Sequence, residues 1–195
     1  AGADHPLLHR RTEGTPTVAY VVITADRGLA GSFNINVIRK AHHALEAESR
    51  PAKVITIGRK GRDYFVKRRI QPVLEFVPLG DNITFAMSRS ILSKIVDLYM
   101  SGEVDEVRLV FTEFVNAVTQ RPVEVQLLPI QPEESEDDHG LVEYIYEPSA
   151  EQVLNTLVPR YAETIFYQAL LESKASEHGA RMTAMGNATD NAEEM

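Results

Sequence analysis

From Pro159 to its end at Met195 the chain contains no further proline, and between Ser176 and Met195 nearly every uncharged position is small or flexible. The stretch keeps a helical pattern, yet a helix of Ala, Gly, Ser and Met cannot build a core of its own. Small side chains let two backbones approach closely, so this helix is expected to lie against another helix at short range. The remaining sequence offers no obvious mate. At about 1.5 Å per residue the run from Pro159 would be roughly 50 Å long, more than the diameter of the domain it leaves. Pro159 lacks an amide hydrogen and is expected to break or kink the helix and to start a new one. Ahead of it, Ser149 with Gln152 three residues later has the spacing of a capping box.

The part before this helix alternates. Residues 18–24, 54–57, 73–77 and 106–112 are short apolar runs rich in β-branched side chains, the pattern of strands buried on both faces. Helical spacing fills the intervals. Val37, Ile38, Ala41 and Leu45 share a face within 33–48; residues 62–68 make a short helix. A third helix is expected after a cap at Asn82, with Phe85, Ile91, Leu92, Ile95, Val96 and Leu98 as its stripe and Gly102 at its end. Residues 123–128 alternate and predict a fifth strand at an edge, antiparallel to its neighbour. Strand and helix in this order predict an α/β fold: an open, mostly parallel five-stranded Rossmann-like sheet with flanking helices, plus the long C-terminal helix. The expected divisions are a lead-in over 1–17, an α/β domain over 18–148 and the helix over 149–195.

Composition narrows function. The chain of 195 residues is 44% apolar and 25% charged, ordinary for a globular protein. It has no cysteine, which removes disulfides, thiol nucleophiles and cysteine-bound metals. A net charge of −8 argues against nucleic acid as a partner. No apolar run is long enough to span a membrane, and no secretory leader is visible. Lys67, Arg68 and Arg69 read as a solvated helix end, where cations complement the dipole. The acids Glu133, Glu134, Glu136, Asp137 and Asp138 lack the spacing of a calcium loop and read as a solvated loop.

Candidate chemistry is sparse. The turn 26–31, with Asp26, Arg27, Gly28 and Gly31, follows the first strand and precedes a helix, where nucleotide folds hold phosphate. Asp26 stands where the dinucleotide fingerprint has its first glycine, and a carboxylate there repels pyrophosphate. Asp26 is expected to cap turn amides while Gly28 and Gly31 permit close packing. The glycine-rich basic segment 58–62 lacks phosphate-loop spacing. His42 and His43 are adjacent and point about 100° apart on a helix, unsuited to one metal. No nucleophile, base and orienter come together, so no catalytic, cofactor-binding or metal-binding residue is expected. The alternative is a nucleotide-binding α/β regulator or enzyme using Asp26 to Gly31.

Several segments, in order along the chain, resemble the gamma subunit of F-type ATP synthase. They are 23–34 with its Asp26-Arg27-Gly28 turn, 58–65, 144–148 with Tyr144, Tyr146 and Glu147, and 167–191 through Ser176, Glu177, His178, Arg181 and Met182. The family's chain is longer at both ends; the resemblance implies that a first helix and a terminal stretch are lacking here. It implies a non-catalytic central-stalk rotor, with no cofactor, whose two terminal helices form a coiled coil inside the alpha and beta subunits. Its foot would meet the epsilon subunit and the c-subunit ring, with only indirect membrane contact. Without cysteine the regulated chloroplast type does not fit, so a bacterial subunit on the cytoplasmic face of the inner membrane is expected. Carried onto these residues, the shaft faces its partners through Ala175, His178, Arg181, Met182, Met185, Asn187 and Asp190. The foot does so through Tyr144, Tyr146 and Glu147. Leu154, Leu157, Tyr161, Ile165 and Ala169 are expected to continue the stripe toward the domain. Because Ala180 and Ala184 are read as shaft positions, tryptophan at either should leave the α/β domain folded and weaken assembly.

Overall fold

The computed structural model describes residues 5–9, 14–131, 147 and 149–195. Its strands are Val18–Ile23 (β1), Ala52–Ile57 (β2), Leu74–Phe76 (β3), Glu106–Phe114 (β4) and Gln120–Leu128 (β5). Its helices are Phe33–Ala47 (α1), Arg59–Lys67 (α2), Phe85–Ser101 (α3) and Ala150–Glu194 (α4). The sheet order is β3-β2-β1-β4-β5. β1 pairs in parallel with β2 and β4, β3 is parallel to β2, and β5 runs antiparallel to β4 at the edge.

Alternation along β1 divides the core. Ala19, Val21 and Ile23 enter the layer beneath α3 and α4, with Leu109, Phe166 and Leu170. Val18, Tyr20 and Val22 enter the opposite layer, with Val37, Ile38 and Phe65 of α1 and α2. A central strand buried on both faces explains why its sequence is an unbroken apolar run.

Three local expectations are corrected. α3 is capped by Thr84, not Asn82: Thr84 has extended backbone and its hydroxyl accepts from the Met87 amide at 3.1 Å. α2 begins at Arg59 rather than 62, because Gly58 is its N-cap and takes a φ of 95°. Pro159 does not break the last helix, which runs through it from Ala150 to Glu194. Val158, Ala162 and Phe166, on both sides of the proline, are buried in the same core, so packing holds the helix continuous through it. The carbonyl that the ring crowds belongs to Asn155, an exposed residue.

Beneath the amino ends of β1 and β4, Glu48 accepts from the Tyr20 hydroxyl at 2.9 Å and from Arg50 at 2.8 Å, and Arg50 reaches Glu106 at 3.2 Å. The Arg50 hydrogen bonds hold the Glu48 carboxyl down at about 2, against its usual 4.5. The folded value lies below the unfolded one, so this contribution is full above the usual carboxylate range and is lost as pH falls toward 2. Glu48→Gln is expected to cost about 2 kcal/mol at neutral pH. In urea titrations the difference from the parent should shrink steadily between pH 4.5 and 2; a gap that stays constant with pH would rule this account out.

Candidate functional site at the junction of turn and helix

The carboxyl ends of β1, β2 and β3 carry the candidate turn, and three backbone segments meet there around one carboxylate. Asp26 Oδ1 accepts from the Arg59 amide at 3.1 Å, and Oδ2 accepts from the amides of Leu79 at 2.8 Å and Gly80 at 2.9 Å. The next amides of α2 are also taken. Lys60 N donates to the Ala25 carbonyl at 3.0 Å and Gly61 N to Thr24 Oγ1 at 2.9 Å. Asp26 therefore caps neighbouring turns, not the amides of its own turn as expected. Its own turn is closed by Asn34, whose side chain accepts from Ala25 N at 2.9 Å and donates to the Arg27 carbonyl at 3.2 Å. The amino end of α2 thus already holds an anion belonging to the chain. Asp26 stands against the nucleotide alternative by placing a carboxylate beside the turn, while its donors come from α2 and the loop after β3. Among the described residues no cluster of His, Asp and Glu could hold a metal, and His42 is paired with Glu46 at 3.2 Å.

α4 passes over this junction. Gly31 has a φ of 55°, and a β-carbon on it would lie 3.9 Å from the Ala180 carbonyl, so the turn comes close to the helix. Ala180 packs with Ala25, Ala30 and Phe33. On the other side, a β-carbon on Gly179 would come within 3.0 Å of the Ala117 carbonyl, at the tip of the β4–β5 hairpin. Ser176 donates to the Thr112 carbonyl at 3.3 Å. Thus Ser176, Gly179 and Ala180 lie where α4 presses closely on its own domain, against the hairpin tip and the turn that leads into α1. Tryptophan at Ala180 would disrupt that packing and no longer separates folding from assembly.

The other face of α4 is open. His178, Met182, Met185, Asn187 and Asp190 are exposed and Ala175 is half-buried; Met182 is 71% exposed and Met185 52%. Arg181 differs from these expected partner-facing residues. Its guanidinium turns inward, donating to Glu177 at 2.8 Å and to the Gly28 carbonyl at 3.4 Å. Nearer the start of α4 the expected stripe is displaced. Val158, Ala162, Phe166, Ala169 and Leu170 are buried, whereas Leu157 and Tyr161 are exposed and Leu154 and Ile165 are half-buried. Among the expected foot residues, Glu147 is exposed, and Tyr144 and Tyr146 lie outside the described residues. The ion pairs of Lys174 and Asp81 beside Glu177 were not anticipated. The spacing of Lys174, Glu177 and Arg181 is visible in the sequence, but nothing there brings Asp81 to them.

No helix among the described residues is long and apolar enough to cross a membrane. A family model described as ATP synthase matches residues 1–195. The chain is 83% identical over 195 residues to the ATP synthase gamma chain of Symbiobacterium thermophilum, covering 100% of this chain and 68% of that one. Over 194 residues it is 50% identical to the gamma chain of Desulforamulus reducens, again covering 100% and 68%. In fold it is similar to the central stalk/c-ring structure of the Tetrahymena thermophila mitochondrial ATP synthase, with a TM-score of 0.68 and 25% identity over 92% of this chain and 80% of that one. The rotor of the Euglena gracilis enzyme shares the fold at a TM-score of 0.68 and 19% identity, over 95% and 74%. A match along the whole chain, relatives at high identity and a shared fold lead to one conclusion: this chain belongs to the gamma-chain family of ATP synthases.

Proposed function

We propose that this chain works as the central-stalk rotor of an F-type ATP synthase, coupling rotation of a c-subunit ring to ATP synthesis or hydrolysis on beta subunits. In this reading residues 18–148 are the foot, 149–195 the start of the shaft, and 1–17 the lead-in. The chain has no catalytic role; its contribution is mechanical. The observation that carries the reading is the division of α4: one face is buried on the domain as far as Ala180, and the other presents Met182 and Met185 to solvent. An exposed face of small and methionine residues suits half of a coiled coil turning within the alpha and beta subunits. Ala175, His178, Met182, Met185, Asn187 and Asp190 are assigned to that face, with Arg181 at its border. The foot, with Tyr144, Tyr146 and Glu147, is assigned to the epsilon subunit and the c ring. The complex sits on the cytoplasmic side of a bacterial inner membrane.

Met182→Asp and Ala184→Trp are expected to leave the isolated chain's circular dichroism and unfolding midpoint near the parent values, because Met182 is largely exposed and Ala184 is half-buried. Both should reduce recovery of the assembled alpha–beta–gamma complex by about tenfold, as an ill-fitting group in a close helical interface does. Parent-level recovery of both variants would overturn the shaft assignment.

A further inference from the structure

Lys174 is 8% exposed and Glu177 only 3%, and no catalytic chemistry accounts for burying them. Lys174 Nζ lies 2.9 Å from Glu177 and 3.8 Å from Asp81 in the loop between β3 and α3. Asp81 also pairs with Arg27 at 3.6 Å. Glu177 accepts from Arg181 at 2.8 Å, and Arg181 donates to the Gly28 carbonyl at 3.4 Å. Gly28 follows Arg27, so the links close into a ring: turn, loop, helix and back to the turn.

Distance and angle are fixed by different groups here. Ser176, Gly179 and Ala180 bring α4 close to the domain, but their side chains end near the helix axis and give little leverage against rotation. Side chains that reach the helix's outer radius, about 5–6 Å from the axis, resist turning far better. Lys174 and Arg181 are such arms, and they reach two linked points of the junction, Asp81 in the loop after β3 and Gly28 in the turn after β1. The Arg181–Glu177 pair is largely buried and little screened by salt, whereas Asp81 meets Lys174 from the solvent side.

We propose that Lys174 and Asp81 are positioning residues that lock the angle of α4 to the α/β domain, so that torque passes between foot and shaft. The proposal rests on the rotor reading. Lys174 supplies the arm; Asp81, anchored by Arg27, supplies the stop. Removing either partner loosens the same restraint.

The test uses the assembled enzyme with the full-length chain, the hexamer fixed to a surface and a rotation probe on the foot. Torsional stiffness is read from the probe's angular fluctuations, alongside the ratio of proton pumping to ATP hydrolysis. Lys174→Met is expected to lower stiffness roughly twofold and to lower that ratio, with the hydrolysis rate unchanged, because the buried ammonium that reaches Asp81 is removed. Lys174→Arg should retain both parent values. Asp81→Asn, at a mostly solvated side chain that does not endanger folding, should soften the junction in the same way. The double variant should be no softer than Lys174→Met alone. Parent stiffness in Asp81→Asn, additive softening in the double variant, or an arginine variant as soft as the methionine one overturns the lock while leaving the rotor intact. A parent probe that never turns on ATP addition overturns the rotor reading and the lock with it.

Discussion

Gly58→Ala should destabilise the fold by about 4 kcal/mol, combining backbone strain of about 1–3 kcal/mol with overpacking of similar size. Gly58 has φ 95° and ψ 148°, a region that glycine alone occupies readily. A β-carbon there would sit 2.2 Å from the Thr24 carbonyl oxygen and 2.7 Å from its carbon. Both atoms are backbone, and Thr24 is held in place by its amide, which donates to the Ile57 carbonyl at 2.8 Å. Gly58 cannot retreat either, since its own amide donates to the Phe76 carbonyl at 3.1 Å. The clash thus falls where β1, β2 and β3 are laced together. Gly31→Ala is the control: φ is again positive, but the nearest atom to its β-carbon is 3.9 Å away, so only about 1 kcal/mol of strain applies. Urea unfolding followed by circular dichroism distinguishes the two, and a Gly58→Ala variant within 1 kcal/mol of the parent would refute the steric account.

Asp26→Ala is expected to cost about 3 kcal/mol, because three amides lose a charged acceptor. Arg59 and Gly80 are exposed and regain water, which keeps the loss below the sum of three buried charged hydrogen bonds. The more telling result is the dependence on anions. In the variant the amides of Arg59, Leu79 and Gly80 still converge, so sulfate should raise its unfolding midpoint, while the parent gains nothing comparable. Equal stability of variant and parent in chloride, or an equal response of both to sulfate, would show that Asp26 does not act as the built-in anion.

Much of the α/β domain was legible because its signals are redundant. β1 is an unbroken apolar run because it is central and covered on both faces; β5 alternates because it is an edge. Boundaries were less legible. Asn82 and Thr84 are both good caps two residues apart, and only the extended backbone at Thr84 decides between them. At Pro159 local propensity lost to packing, since Val158, Ala162 and Phe166 bind both sides of the break to one core. The face of α4 was misassigned near its start because Leu154, Leu157, Tyr161 and Ile165 make as good a stripe as Val158, Ala162, Phe166 and Leu170. Which stripe is inside depends on where β4 and α3 lie. Small residues carried a similar ambiguity: Gly179 and Ala180 called for a close neighbour, but their composition does not say whether it is a helix, a hairpin or a turn. The ionic ring was half visible. Three of its members are spaced along one helix, whereas Asp81 and Arg27 arrive through topology.

Asp26 gives the α/β domain a ligand it can never lose. A crevice that relied on diffusing phosphate would stiffen and slacken with the cell's energy state. Here the acceptor is covalently part of the chain, so the amides of Arg59, Leu79 and Gly80 stay paired whatever anions the solvent holds.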